Sequence, residues 1–135
     1  MGRSRYGICV GTDVPYFLTC TIVNWIALFG EVRIAQVLLD SLNFLITAKR
    51  LHLYGYIIME NHVHLMASGH DLPKQIGTFT SFTARSIVDL LEDEGHVLIL
   101  RQLSWYRKSH KTGQTYQVWQ EGSHPEMIGN EEMLN

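Results

Sequence analysis

The sequence is poor in the residues that cross-link or interrupt a small fold. It contains two cysteines, Cys9 and Cys20, and three prolines among 135 residues. The cysteines lie eleven positions apart and lack the CxxC spacing of zinc and redox sites. Neither a disulfide framework nor a structural zinc site is therefore predicted. Both cysteines are expected to behave as small buried hydrophobic residues of a cytoplasmic protein.

Long uncharged apolar stretches are also missing. The longest, residues 14–30, is interrupted by two threonines and an asparagine, which makes it too polar for a membrane span. No apolar segment follows the basic residues Arg3 and Arg5, so no signal peptide is predicted. The chain is expected to be cytoplasmic and to make no membrane contact.

An excess of positive charge is missing as well. The net charge is −2 with neutral histidines, and 18% of the residues are charged against 46% hydrophobic. This balance predicts an ordinary globular protein, and the length predicts one domain over residues 1–135. Any contact with a nucleic acid must then rest on a local basic surface and not on overall charge.

The hydrophobic pattern predicts the element order strand, helix, strand, strand, helix, strand. Strands are predicted at 15–23, 51–59, 62–68 and 116–120, and helices at 30–50 and 73–94. The strand at 51–59 is apolar nearly throughout, which predicts a central place in a sheet. Residues 121–135 are predicted to form a loop and the first turn of another helix, with Asn130 as its cap. The order predicts an α+β fold, a ferredoxin-like antiparallel sheet with helices packed mainly on one face.

The most informative motif is YIIMENHVHLM, residues 56–66. His62 and His64 are two positions apart on a predicted strand, so both side chains project from the same face. Two imidazoles on a rigid strand can bind one cation and leave positions open, as a catalytic metal requires. Glu60 is the nearest candidate for a third ligand, although a turn at 60–61 interrupts the alternation. The spacing also fits two unrelated histidines, since the chain contains seven.

The segment MENHVHLM resembles the His-hydrophobic-His motif of the single-tyrosine HUH transposases, including the REP-associated tyrosine transposases. The usual sequence of this motif in that family is M-P-N-H-V-H-L, so residues 61–65 match and Glu60 replaces a proline. The resemblance extends to YFLTCTIVNWIALF, LHLYGYIIM, FTSFTAR and YQVWQEG, and thus covers nearly the whole chain.

The resemblance implies a ferredoxin-like fold, a homodimer, and a single-stranded DNA substrate with a hairpin next to the cleavage point. It also implies that the two histidines and a polar side chain of the last helix bind a divalent metal, Mg²⁺ or Mn²⁺. In the family that metal polarises the scissile phosphate, and a tyrosine attacks it to form a 5′-phosphotyrosine link and a free 3′-OH. The implied activity is metal-dependent strand cleavage and rejoining.

The expected nucleophile is missing from this sequence. In the family the tyrosine follows the strand that resembles WQEG, but no tyrosine follows Trp119 here. NEEMLN is predicted to begin the catalytic helix, with the tyrosine one or two turns beyond Asn135. Within the chain, Tyr116 is a substitute nucleophile, and its simpler interpretation is a core residue.

Basic and aromatic residues are concentrated between Gly95 and Gln120, where no acidic residue occurs. Cations for phosphates together with aromatic rings for bases are typical of single-strand binding. The predicted DNA-binding residues are Arg85 on the second helix and Arg101, Trp105, Tyr106, Arg107, Lys108 and Lys111 in this segment. The same composition also fits a solvated loop with one buried tryptophan.

Three functions remain open on the sequence alone. The first is a single-stranded DNA transposase whose nucleophile lies outside the chain. The second is a non-catalytic, ferredoxin-like nucleic-acid-binding domain with a vestigial HxH motif. The third is a metal-dependent phosphodiesterase that uses water in place of tyrosine.

Overall fold

The chain forms an antiparallel sheet whose strands are connected by helices and, between the second and third strands, by a short turn. A computed structural model describes residues 14–105, 115–121 and 126–127. The strands are β1 (Tyr16–Thr21), β2 (His52–Ile58), β3 (His62–Ser68) and β4 (Glu126–Met127). The helices are α1 (Val32–Thr47), α2 (Leu72–Asp93) and α3 (Val97–Trp105), and two short 3-10 turns, Val23–Trp25 and Leu28–Gly30, connect β1 to α1.

The sheet has the strand order β2-β3-β1-β4, and each neighbouring pair is antiparallel. β1 and β3 form the centre, with a register that runs from Tyr16 opposite Ala67 to Thr21 opposite His62. β1 and β2 consequently run parallel to each other with β3 between them, and α1 makes the crossover. This is the ferredoxin-like arrangement, so the predicted α+β fold class is confirmed.

The hydrophobic core lies on one face of the sheet. The buried apolar residues are Tyr16, Leu18 and Cys20 on β1, Ile22 just after it, and Val63, Leu65 and Ala67 on β3. They pack against α1 and α2, whose buried residues include Leu38, Leu42, Phe79 and Ile87. Because side chains alternate along a strand, the intervening residues, among them both histidines of β3, point to the opposite face. The helices thus cover one face and leave the other for the histidines.

The position of β2 differs from the prediction. It was expected in the centre of the sheet, but among the described strands it pairs only with β3 and lies at the edge. Tyr54, Tyr56 and Ile57 are about half exposed. A continuous apolar run can form either a central or an edge strand, and the topology of the whole chain determines how many strands pair with it.

Helix α3 is absent from the prediction, which treated its residues as an apolar piece followed by a basic loop. Only Leu103 of this nine-residue helix is fully buried, so its apolar stripe is weak. Gly95, with φ of 71°, ends the preceding helix, and the His96 N–H then bonds to the Leu91 carbonyl at 2.9 Å. Arg101 and Trp105 therefore lie on a helix.

The last edge of the sheet is interrupted. Of the predicted strand 116–120, only Trp119 forms a bridge, with Ile22. Gln120 also makes a backbone hydrogen bond to Thr21 at the end of β1, and Val118 makes one to Val23 in the turn that follows. Residues 126–127, predicted as loop, form β4 beside the start of β1. A two-residue strand is too short to show a periodicity in the sequence. The predicted helix turn at Asn130 and the prediction for Cys9 lie outside the described residues.

No helix in the described ranges has both the length and the apolar character that a membrane crossing requires.

A buried hydrogen bond joins α2 to the interrupted edge. The Trp119 Nε1–H donates to the Thr83 hydroxyl at 3.0 Å, and that hydroxyl donates to the Phe79 carbonyl at 2.7 Å. The rings of Phe29 and Phe79 pack around the same indole, with centroids 5.8 and 6.1 Å away. Thr83 therefore holds residues 116–120, at this edge of the sheet, against the core.

Replacing Thr83 by valine is expected to destabilise the fold by about 1–3 kcal/mol, because the buried Trp119 N–H loses its acceptor. Urea unfolding measures this change. The matched control is Thr80→Val on the same helix, because the hydroxyl of the half-buried Thr80 donates, among the described residues, only to the Gly77 carbonyl. This substitution is expected to cost less than about 0.5 kcal/mol. Equal destabilisation by the two substitutions would contradict the assigned role of Thr83.

Candidate metal and nucleic-acid site

The two histidines of the HxH motif lie together at the start of β3. Their ring centroids are 4.7 Å apart, and the rings meet edge to face at 79°. Val63 between them is fully buried in the core, which directs both imidazoles to the face that α1 and α2 do not cover. The structure thus places two potential ligand rings side by side on a central strand.

The orientation of His62 is set through Asn61. The Asn61 side-chain N–H donates to the Trp25 carbonyl at 3.4 Å, so the amide oxygen is the atom that faces His62. That oxygen lies 2.7 Å from His62 Nδ1 and, as an acceptor, requires a proton on Nδ1. In the neutral imidazole, the lone pair available to a ligand is then on Nε2.

His64 is held by two residues of β1. Its Nδ1 lies 3.0 Å from the Thr19 hydroxyl, and its ring stacks on Phe17 at 5.2 Å with an interplanar angle of 21°. Thr19 is directly opposite His64 in the β1–β3 register, which explains the contact. Among the described residues, neither histidine has a hydrogen-bond partner at Nε2.

This arrangement is suitable for two of the protein ligands of a metal site. Histidines that bind metals usually donate their second ring N–H to a carboxylate, a carbonyl or water, and such partners fix both the ring and its tautomer. Asn61 meets this requirement for His62, and the Thr19 hydroxyl can accept the corresponding proton of His64. Within the described ranges, however, no group of three or more His, Cys, Asp and Glu is placed to hold a metal ion. Glu60 is exposed in the turn before β3 and does not complete such a group.

The protonation of His64 also favours a ligand role. Partial burial, together with repulsion from the neighbouring His62, holds the pKa of His64 below its usual value. The neutral form, which is the form that binds metals, therefore persists to lower pH than in a free histidine.

The predicted DNA-binding residues do not all share the face of the histidines. Arg85 is exposed on α2, in a groove with Lys74 and the exposed ring of Phe82. Since α2 packs on the opposite face, Arg85 and the histidine pair lie on different sides of the sheet. Arg101 and Trp105 are exposed on α3. The remaining predicted contacts, Tyr106, Arg107, Lys108 and Lys111, lie outside the described residues.

Tyr116 lies on the side of the sheet that the helices cover. It packs against the core and lines a cavity with Thr80, Ser81 and Ala84 of α2. The histidines point to the other face, so the structure does not bring Tyr116 together with them.

The sequence interpretation missed two residues that support the site, Phe17 and Thr19. They alternate with buried residues along β1 and therefore point to the face of the histidines. That alternation is visible in the sequence. The register that places them beside His64 is not visible in the sequence, because β1 and β3 are far apart along the chain: Thr19 and His64 are separated by 45 positions.

No protein-family model matches the sequence, and no curated protein matches it significantly. Solved structures do match. A crystal structure of a candidate transposase from Deinococcus radiodurans R1 shares the fold over 99% of this chain and 90% of the other, with a TM-score of 0.61 and 19% identity. A REP-associated tyrosine transposase bound to a REP hairpin matches over 98% of this chain and 65% of its own, with a TM-score of 0.58 and 12% identity.

These matches define the class of fold. The described sheet and helices belong to the ferredoxin-like arrangement that both transposases share, and the likeness extends over nearly the whole chain. The identities are low, so the likeness concerns the fold. The REP-associated transposase is also longer, and this chain spans 65% of its length.

We expect the pKa of His64 to lie below the usual value of 6.5. His62→Gln should raise it towards that value, because the neighbouring charge is removed while burial remains. NMR titration of the His64 ring measures both values. Because the unfolded chain takes up this proton at higher pH, the folded state should lose stability as the pH falls from 6.5 through the pKa of His64.

The control for this titration is His52→Gln, which replaces an exposed histidine on the edge strand β2 and should leave the pKa of His64 unchanged. A wild-type pKa of His64 at or above the usual value would contradict the expected effect of burial.

In the metal-binding role proposed for the pair below, Thr19→Val should lower the affinity for Mn²⁺ about tenfold, because His64 loses the partner that orients its ring. Isothermal titration calorimetry with MnCl₂ measures the affinity. Thr21→Val is the matched control, since Thr21 lies on the same face of β1 opposite His62. A loss of equal size in the two variants would show that Thr19 has no specific effect on His64.

Proposed function

We propose that this chain is a metal-dependent, single-stranded DNA transposase of the single-tyrosine HUH class, and that it supplies the metal and DNA platform. The observation that carries the proposal is the geometry of the histidine pair. Both Nδ1 atoms have partners, both Nε2 atoms lack one among the described residues, and both rings lie on the face of the sheet opposite the helices. The fold shared with two transposases supports it.

In this proposal His62 and His64 bind the cation through Nε2. A divalent metal held there would neutralise charge on the oxygens of a phosphodiester, which is the main electrostatic requirement of strand cleavage. Imidazole suits Mn²⁺ better than Mg²⁺, so Mn²⁺ is the metal to test first. Asn61 and Thr19 act as positioning residues, because they orient the two rings without being ligands themselves.

The attacking tyrosine, in this proposal, is none of the four in the described residues. Tyr16 is buried in the core, and the Tyr54 hydroxyl is 3.0 Å from the Ser68 hydroxyl. Tyr56 lies on the edge strand β2, and Tyr116 packs on the side of the sheet that the helices cover. We infer that the nucleophile is a tyrosine other than these four, on a helix that would also bring the third metal ligand.

The proposed DNA partner is a single strand that carries a hairpin, and the proposed assembly is a homodimer. The hairpin is suggested by the neighbour that binds a REP hairpin. The exposed cations Arg85 and Arg101 and the exposed indole of Trp105 are the described candidates for contacts with it. They lie on helices α2 and α3, and α2 packs on the face of the sheet opposite the histidines.

A second candidate is a non-catalytic nucleic-acid-binding domain with a vestigial histidine pair. The observation that favours it is the lack, within the described ranges, of a third acidic or histidine ligand near the pair. The two candidates differ in whether binding depends on metal.

A labelled hairpin with a single-stranded extension, incubated with and without Mn²⁺, tests the proposal. We expect binding that Mn²⁺ strengthens, a loss of this metal effect in His62→Ala and His64→Ala, and no covalent adduct. The control is His52→Ala, an exposed histidine on the edge strand that should leave the metal effect intact. Gel shift and denaturing electrophoresis provide the two readouts.

The other outcomes are distinct. Metal-independent binding that His64→Ala does not change would favour the non-catalytic domain. Cleavage without an adduct would indicate a hydrolase that uses water. An adduct that Tyr116→Phe abolishes would show that the nucleophile lies within the chain.

A further inference from the structure

Trp25 is a large apolar side chain on the surface, and its backbone carbonyl contacts Asn61, the residue before the histidine pair. It lies in the loop after β1 and is 63% exposed, whereas its neighbours Ile22 and Val23 are buried. Trp119, in contrast, is buried in the core, and Trp105 lies on α3. Trp25 is therefore the one described tryptophan that is both exposed and close to the HxH motif.

The backbone at this point is unusual. Asn24 and Trp25 have φ values of 53° and 54°, in the left-handed region that residues with a Cβ rarely adopt. Two such residues in succession require a surrounding structure that holds them. The conformation directs a bulky aromatic ring away from the core, and unfavourable backbone geometry of this kind is concentrated at functional sites.

Hydrogen bonds hold the loop on both sides. The Ile22 and Phe29 N–H groups donate to the carbonyls of Asn61 and Glu60, at 2.9 and 2.8 Å, in the turn that precedes the histidines. The Val23 N–H donates to the Val118 carbonyl at 2.8 Å. Since both ends of the loop are attached to the sheet, Trp25 is presented on a rigid support.

A single amide connects this loop to the candidate metal ligand. The Asn61 side chain donates to the Trp25 carbonyl at 3.4 Å and accepts from His62 Nδ1 at 2.7 Å. The backbone of Trp25 and the ring of His62 are thus the two neighbours of one side chain. Trp25 and His62 are thus each one contact away from Asn61, which puts the loop that carries the indole beside the histidine pair.

We propose that Trp25 is a base-stacking platform of this site, and that it takes a nucleobase of the single-stranded DNA next to the phosphate at the histidines. The inference rests on the proposed function for the identity of the strand. A rigid, exposed indole can stack on any base, because every base has a π-face, and little side-chain freedom is lost on binding. Stacking would also keep the strand single and extended at the point of cleavage.

Binding of an oligothymidylate of about ten nucleotides, measured without metal by fluorescence anisotropy at low salt, tests the inference. Trp25→Ala should weaken binding about tenfold, and Trp25→Phe should retain most of the affinity because a ring remains. A strand of the same length that carries abasic sites should bind the wild type and Trp25→Ala equally. The control is Phe44→Ala, which removes an aromatic ring of similar exposure (58%) from α1.

Trp25→Gly separates binding from folding. Glycine accepts the left-handed backbone without strain, so this variant should be at least as thermostable as the wild type and yet bind the oligothymidylate weakly. Binding by Trp25→Gly or Trp25→Ala at the wild-type level would overturn the stacking role and leave the proposed function intact. A wild type that binds neither the oligothymidylate nor the hairpin would overturn both.

Discussion

The pairing of β1 with β3 is the interaction on which the rest of the structure depends. It forms the centre of the sheet, and its register decides which residues of the two strands meet. On one face it aligns the buried residues that pack against α1 and α2. On the other face the same register sets Thr19 against His64, with the ring of Phe17 stacked on that imidazole. A shift by one residue would exchange the two faces, so core and site are specified by one set of backbone hydrogen bonds.

Asn61 has a comparable role at the end of this pairing. Its amide has a fixed orientation because it must donate to a carbonyl on one side and accept from an imidazole on the other. One side chain therefore sets the tautomer of His62 and links it to the loop that carries Trp25. The lowered pKa of His64 favours the neutral form of its imidazole. Among the described residues, the two imidazoles are thus oriented by short-range polar contacts.

Local patterns in the sequence predicted the elements that have a strong period of their own. The strand 62–68 was predicted with its observed bounds, and α2 within one residue at each end. The strand 51–59 was assigned to the centre of the sheet and lies at its edge, because apolar composition does not reveal the number of neighbours. The weakly amphipathic α3 and the two-residue β4 were missed, since neither is long or regular enough to produce a periodic signal.

The sequence by itself determined the class of fold and the shared direction of His62 and His64, since alternation along a strand is a local property of the chain. Only the tertiary structure decided what surrounds them. Thr19 contacts His64, and the Trp25 carbonyl contacts Asn61, across 45 and 36 positions of sequence. Such contacts follow from the strand register and the loop geometry, which depend on the packing of the whole core. For the same reason Arg85, predicted to bind DNA, lies on the opposite side of the sheet from the histidines.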